Sequence, residues 1–91
     1  MDSELERLAR TYVWWEAPER AVERQDLLLC QLMQLGAWDD VRWARGTFGD
    51  EAFRAALRHA PPGVLDKKSW TYWNRFYGVV PVPPLPERPL P

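Results

Sequence analysis

Residues 18–36, PERAVERQDLLLCQLMQLG, decide the fold. Pro18 suits the first turn of a helix, where its missing N–H has no intrahelical partner to lose, and Gly36 suits the left-handed position that follows a helix end. Between them Val22, Leu28, Leu29, Leu32, Met33 and Leu35, with Leu27 and Cys30 beside them, cover well over one stripe in the second half. A helix apolar on so many sides has to be covered from several directions. The pattern therefore predicts one helix over 18–35 at the centre of an all-α bundle.

Toward the N-terminus, Ser3 and Glu6 have capping-box spacing. Leu5, Leu8, Ala9, Tyr12 and Val13 then recur as one buried helical face, which predicts a first helix over about 4–13. Toward the C-terminus, Asp39 and Asp40 followed by Arg42 and Arg45 match the helix dipole in a short helix ended by Gly46, with Trp38 and Val41 facing inward. Asp50 and Glu51 open the next helix, whose apolar set is Phe53, Ala56, Leu57 and Ala60. Phe48 and Phe53 stand at staple spacing around a Gly49 cap, and Pro61, Pro62 and Gly63 stop the helix. Asp66 is a good N-cap for the last helix, with Leu65 and Trp70 at staple spacing and Gly78 at its end. Trp70, Trp73 and Tyr77 form one stripe on it, Tyr72 and Phe76 a second. The one β-branched run, residues 79–82, is interrupted by Pro81, which argues against a strand.

The expected architecture is thus a small bundle of about five short helices over residues 1–78, with a helix-turn-helix-like centre as one arrangement. From Val79 onward six of 13 residues are proline, so residues 79–91 are expected to form an extended polyproline-type tail.

A chain of 91 residues makes one domain, and 46% hydrophobic with 27% charged residues is too apolar for a disordered one. Twelve Lys and Arg against 13 Asp and Glu leave a net charge of −1, so there is no global excess of positive charge to collect the counterion-release energy of nucleic-acid binding. A protein partner is expected ahead of a nucleic acid. Cys30 is the single cysteine and sits in an apolar stretch, which fits a reducing cytoplasm. No apolar run approaches the ~18 residues of a membrane span, so no membrane partner is expected.

Catalysis has little to work with. His59 is the only histidine and stands at a helix end, where an imidazole near the last carbonyls is sufficient explanation. Cys30 has no histidine in its own element and an apolar setting that raises a thiol's pKa. There is no metal-ligand spacing, glycine-rich phosphate loop or nucleophile elbow. The expectation is a binding module with no cofactor and no metal, and not an enzyme.

Six tryptophans exceed what a core this small requires. Trp14 and Trp15 are adjacent at a helix end and cannot both face one core, and Trp43 lies roughly opposite Val41, so these three are interface candidates. Trp70 and Trp73, with Tyr77, lie on an inward stripe and are either core or contact surface. Arg42, Arg45, Arg54 and Arg58 gather on two successive helices, a candidate DNA-binding set if those helices form a helix-turn-helix joined by a turn at 46–49. Neither helix carries the Gln, Asn or Ser set that reads bases. Pro83, Pro86 and Arg88 have the PxxPx(Arg) spacing of a polyproline ligand. The alternative is a tail that packs over the aromatic residues of its own last helix.

The run from Leu65 through Ser69, Trp70, Tyr72 and Trp73 to Gly78, closed by Pro83-Pro84-Leu85-Pro86 and Arg88, resembles the end of a family of short bacterial proteins. These are encoded beside nucleotidyltransferase-type toxins of the abortive-infection class. The segment from Leu35 to Val41, the Phe48-Gly49 pair and the break Ala60-Pro61-Pro62-Gly63 are similar to that family as well, so the likeness covers about residues 28–88. What it implies is an antitoxin, a small helical protein that binds the toxin and blocks its nucleotide or RNA site. A helix-turn-helix-like regulator and a homo-oligomer paired through exposed aromatics are the two other classes the residues leave open.

Overall fold

The central apolar stretch is not one helix but two, because the backbone leaves helical geometry at Arg24 (φ −94°, ψ 59°). The computed structural model describes residues 3–87, and Arg88, together with the end of the expected tail, lies outside them. Within that range the chain is all-helical: α1 (Ser3–Tyr12), α2 (Pro18–Glu23), α3 (Gln25–Leu35), α4 (Trp38–Phe48), α5 (Asp50–Arg58) and α6 (Lys67–Phe76). The break at Arg24 lets α2 pack on α1, where Ala21 is fully buried, and the Arg24 guanidinium pairs with Glu16 in the loop after α1. Pro18 does open α2, as its fixed φ favours.

α3 has the central role expected of the stretch it ends. It packs against each of the other five helices, and every residue from Leu27 to Met33 is buried. Its one polar member in that run, Gln31, is satisfied by donating from Nε2 to the carbonyl of Tyr12 at 2.9 Å, as a buried amide must be. Cys30 Sγ lies 3.4 Å from the carbonyl of Ala56, and burial, then the charge of Asp26, push its thiol up to about 12. The expected apolar faces of the neighbours are buried too: Leu8, Ala9, Tyr12 and Val13 from α1 and the turn after it, and Phe53, Ala56, Leu57 and Ala60 from α5 and the residues just beyond. Leu35, counted with the apolar set of α3, is instead exposed at the helix end.

Two glycines behave differently from their sequence reading. Gly36 is extended (φ −70°) and not left-handed. It is required for closeness, since a Cβ there would stand 2.5 Å from the Leu32 carbonyl oxygen and 3.1 Å from Val41 Cγ2. Gly46 does not end α4, which runs through it to Phe48, because nothing crowds or strains it and the helix keeps Phe48 against the core. The stop is Gly49, whose φ of 89° only glycine adopts easily, and it caps α4 and opens α5 at once. A single residue between α4 and α5 is shorter than the about three to four residue turn of a helix-turn-helix.

Two polar joints fix the outer helices. The Tyr12 hydroxyl donates to Asp40 Oδ2 at 2.7 Å and accepts from the Ala37 N–H at 3.2 Å, tying α1 to the start of α4. Tyr12 first and Arg7 second hold the Asp40 carboxyl below its usual range. Asp66 caps α6 as expected, accepting from Ser69 N at 2.7 Å, while Gln34 of α3 donates to its other oxygen and accepts from its N–H.

Candidate interaction face

Trp73 is the keel of an aromatic face. It is buried, and its indole N–H donates to the Met33 carbonyl at 3.0 Å, so its orientation is fixed from α3. Three outer rings rest on it: Trp38 at 6.3 Å between centroids, Tyr72 at 5.2 Å and Phe76 at 5.2 Å. These rings also touch one another, Trp38 edge-on to Tyr72 and Tyr72 stacked on Phe76, each pair at 6.2 Å. All three are exposed, Trp38 at 60%, Tyr72 at 46% and Phe76 at 44%. The result is a continuous aromatic strip across α4 and α6 whose side chains are already held by packing, so little rotamer entropy remains to be lost on docking.

The strip is bordered by positive charge. Among the described helices α6 alone contains no acid, and Lys67, Lys68, Thr71 and Arg75 line a shallow hollow with Tyr72 and Phe76. None of these three cations forms a salt bridge among the described residues, although Lys68 is near enough to help hold Asp66 below its usual range. Lys67 and Lys68 sit in the first turn of α6, where the helix dipole disfavours cations. Arg45 adds its guanidinium 4.7 Å from the centre of the Phe76 ring.

Trp14 and Trp15 are exposed, as their adjacency suggested, and meet edge-to-face at 4.8 Å in a separate patch after α1. Trp43 is only half-buried, packed on the core and edge-on to Phe48. Trp70 is core and donates its indole N–H to the Pro83 carbonyl at 2.8 Å, with only an edge lining the cleft beneath that segment; Trp73 is core likewise. Trp38, by contrast, does not face inward: only Val41 and Ala44 of α4 are buried, and the ring of the helix's first residue lies over its edge. Tyr77 is half-buried, and its hydroxyl donates to Asp50 Oδ1 at 2.9 Å. Burial first, and this bond second, push its pKa up to about 12.

Three of the four arginines of the DNA-reading set are engaged within the fold. Arg42 pairs with Asp39, Arg45 with Asp50 at 3.0 Å, and Arg54 with Glu51 at 3.7 Å while lying over Tyr77. Arg58 has no salt bridge among the described residues and lines a cleft with Arg54. Residues 79–87 contain no helix or strand and return along α6, where Pro83 meets Trp70 while Val82 and Leu85 pack against the core. Pro83 and Pro86 therefore stand on the chain's own aromatic helix and line that same cleft.

Sequence reasoning missed Tyr72, Phe76, Lys67, Lys68 and Arg75 as site residues. The signals were present: two aromatics one turn apart on the flank of the buried stripe, and two lysines placed against the dipole.

No helix among the described residues is long and apolar enough to cross a membrane. No protein-family model, curated protein or solved structure matches this chain.

Proposed function

We propose that this chain is a protein-binding module, an antitoxin that binds and neutralises a nucleotidyltransferase-type toxin through the aromatic face of α4 and α6. The observation that carries the reading is the strip Trp38–Tyr72–Phe76, three adjacent exposed rings seated on one immobilised buried tryptophan. Aromatic and arginine side chains held in place supply most of the energy at protein interfaces, and the strip has both, with Arg45 and Arg75 at its border. The class of partner comes from the resemblance in Trp, Gly and Pro spacing over about residues 28–88. Trp14 and Trp15 offer a second, smaller anchor on another part of the surface.

The experiment is co-expression with the product of the adjacent gene, followed by gel filtration. The two proteins are expected to elute together, and a chain carrying Trp38→Ser, Tyr72→Ser and Phe76→Ser is expected to elute alone while remaining folded. Separate elution of the unaltered proteins overturns the reading. A DNA-binding regulator has less in its favour, because Arg42 and Arg45 are paired with carboxylates and neither α4 nor α5 carries the Gln, Asn or Ser set that reads bases. A homo-oligomer would show as a concentration-dependent mass in light scattering of the chain alone.

A further inference from the structure

A second surface, on the other face of α6, has a different character. α5 supplies one wall, with Arg54 and Arg58 one turn apart. α6 supplies the floor, with Trp70 and Tyr77, and the returning proline segment supplies the opposite wall, with Pro83 and Pro84. The bond from Trp70 to the Pro83 carbonyl holds that wall in place. Together they enclose a cleft of about 590 Å³, within the size of small-molecule sites.

Two of the neutral donors around it are spent: the Tyr77 O–H goes to Asp50 and the Trp70 N–H to the Pro83 carbonyl, while one Asn74 N–H goes to the Trp70 carbonyl. The charged groups that line it are the pair of guanidiniums. Arg58 has no salt bridge among the described residues, and Arg54 lies over the Tyr77 ring at 5.2 Å, with the exposed Glu51 carboxylate at 3.7 Å and Asp50 near enough to feel its charge. A cation pair on the α5 side of a cleft otherwise lined largely by aromatic, aliphatic and proline side chains complements a planar apolar body that carries an anion.

We propose that the cleft between α5, α6 and the proline segment binds a small aromatic anion, a planar apolar body carrying one carboxylate, sulfonate or phosphate group. The aromatic part lies between the prolines and the α6 rings, and the anion reaches Arg54 and Arg58. This site is independent of the aromatic strip and of any protein docked there.

The probe is anilinonaphthalene sulfonate, with phenylnaphthylamine as the same ring system without the charge. Titrated into the full chain, the sulfonate is expected to bind saturably with one molecule per chain. Arg54→Gln with Arg58→Gln is expected to weaken it by about tenfold, the loss of roughly one charge-assisted hydrogen bond, while the neutral probe changes less than about twofold. Both arginines are exposed, so the variant should keep the circular dichroism of the parent. Trp38→Ser with Tyr72→Ser should leave sulfonate affinity unchanged, which separates this cleft from the strip. Displacement by naphthoate and by naphthyl phosphate tells which anion the arginines prefer. Equal sulfonate affinity in the arginine variant and the parent, or loss of binding in the strip variant alone, overturns the proposal.

Discussion

Tyr77 donates its phenolic proton to Oδ1 of Asp50 at 2.9 Å, fastening the residue that caps the end of α6 to the first residue of α5. The same oxygen accepts from Arg45 Nε at 3.0 Å, so one carboxylate joins α4, α5 and α6. Arg45 first, and Tyr77 second, hold the Asp50 carboxyl below its usual range. Asp40 and Asp66 are lowered as well, by Tyr12 and Arg7 in one case and by the Ser69 N–H and Gln34 in the other.

In the folded chain these three carboxyls bind protons less tightly than in the unfolded one, where an aspartate titrates near about 3.9. Their contribution is full above that value and is lost as pH falls through the folded values. Urea unfolding between about pH 2 and 6 should therefore show stability rising with pH and levelling near about pH 5. Asp50→Asn should flatten part of the rise and cost about 0.5–1 kcal/mol at neutral pH, a small figure because the carboxylate is half exposed and screened. At the alkaline end the sign reverses. Tyr77 is raised, so its contribution is full below about pH 10 and declines as pH rises toward its folded value of about 12. A pH profile that is flat from about 2 to 6 would remove the assignment of these joints as stabilising.

Gly36 and Gly46 make a matched pair with opposite expectations. At Gly46, inside α4 and with no atom within 4 Å of where an added methyl would stand, alanine should stabilise by about 0.5–1 kcal/mol, the difference in helix propensity. At Gly36 the same change drives a methyl to 2.5 Å from a backbone oxygen and should cost about 1–3 kcal/mol as α3 and α4 are forced apart. Denaturant midpoints of the two single variants check both signs. Gly46→Ala on the destabilising side would contradict the continuity of α4 through that residue.

Much of the fold was legible because the apolar spacing of α1, α3, α5 and α6 is set by the core itself. Leu8, Leu29, Phe53 and Trp73 lie where their periods put them. What was not legible depended on contacts between distant parts of the chain. Gly36 reads as a helix cap until Val41 and Leu32 are seen to crowd it, and Arg24 reads as helical until α2 is seen to fold onto α1. At the candidate face, Trp38 stands three residues before Val41 and shares its helical face in sequence. As the first residue of α4 it has no preceding turn to pack on, and its ring turns outward toward Tyr72. Trp70 and Trp73 were ambiguous for the opposite reason, since a stripe of aromatics reads the same whether it meets the core or a partner.

The hydrogen bond from Trp70 to Pro83 is, among the described residues, the one side-chain bond that holds the proline segment to the helices. Trp70→Phe keeps the apolar fill and deletes that donor, leaving the Pro83 carbonyl to water. Global stability should fall by about 1 kcal/mol, and amide exchange and proteolysis should rise in residues 79–87 more than elsewhere. Trp73→Phe deletes the corresponding donor to Met33 but should leave exchange in 79–87 unchanged, because its acceptor is in α3. Equal exchange in the proline segment of the parent and Trp70→Phe would mean that packing of Val82 and Leu85 holds the segment without the bond.

Cys30 gives a direct reading of how the two central helices separate. Its sulfur is fully buried between α3 and α5, 3.4 Å from the Ala56 carbonyl, and its thiol is pushed up to about 12. Both factors oppose reaction with a thiol reagent, since burial blocks access and the raised pKa removes the thiolate that reacts. In native buffer labelling should then proceed only through opening of the α3–α5 interface, at least about a thousandfold slower than in the urea-unfolded chain. Leu57→Ala, which empties part of the core beneath α5, should destabilise by about 2–4 kcal/mol and speed labelling in proportion. Trp14→Ser, at an exposed ring remote from that interface, should leave the rate where it was. If the two variants label alike, the thiol is reached by a local path and the α3–α5 contact is not what protects it.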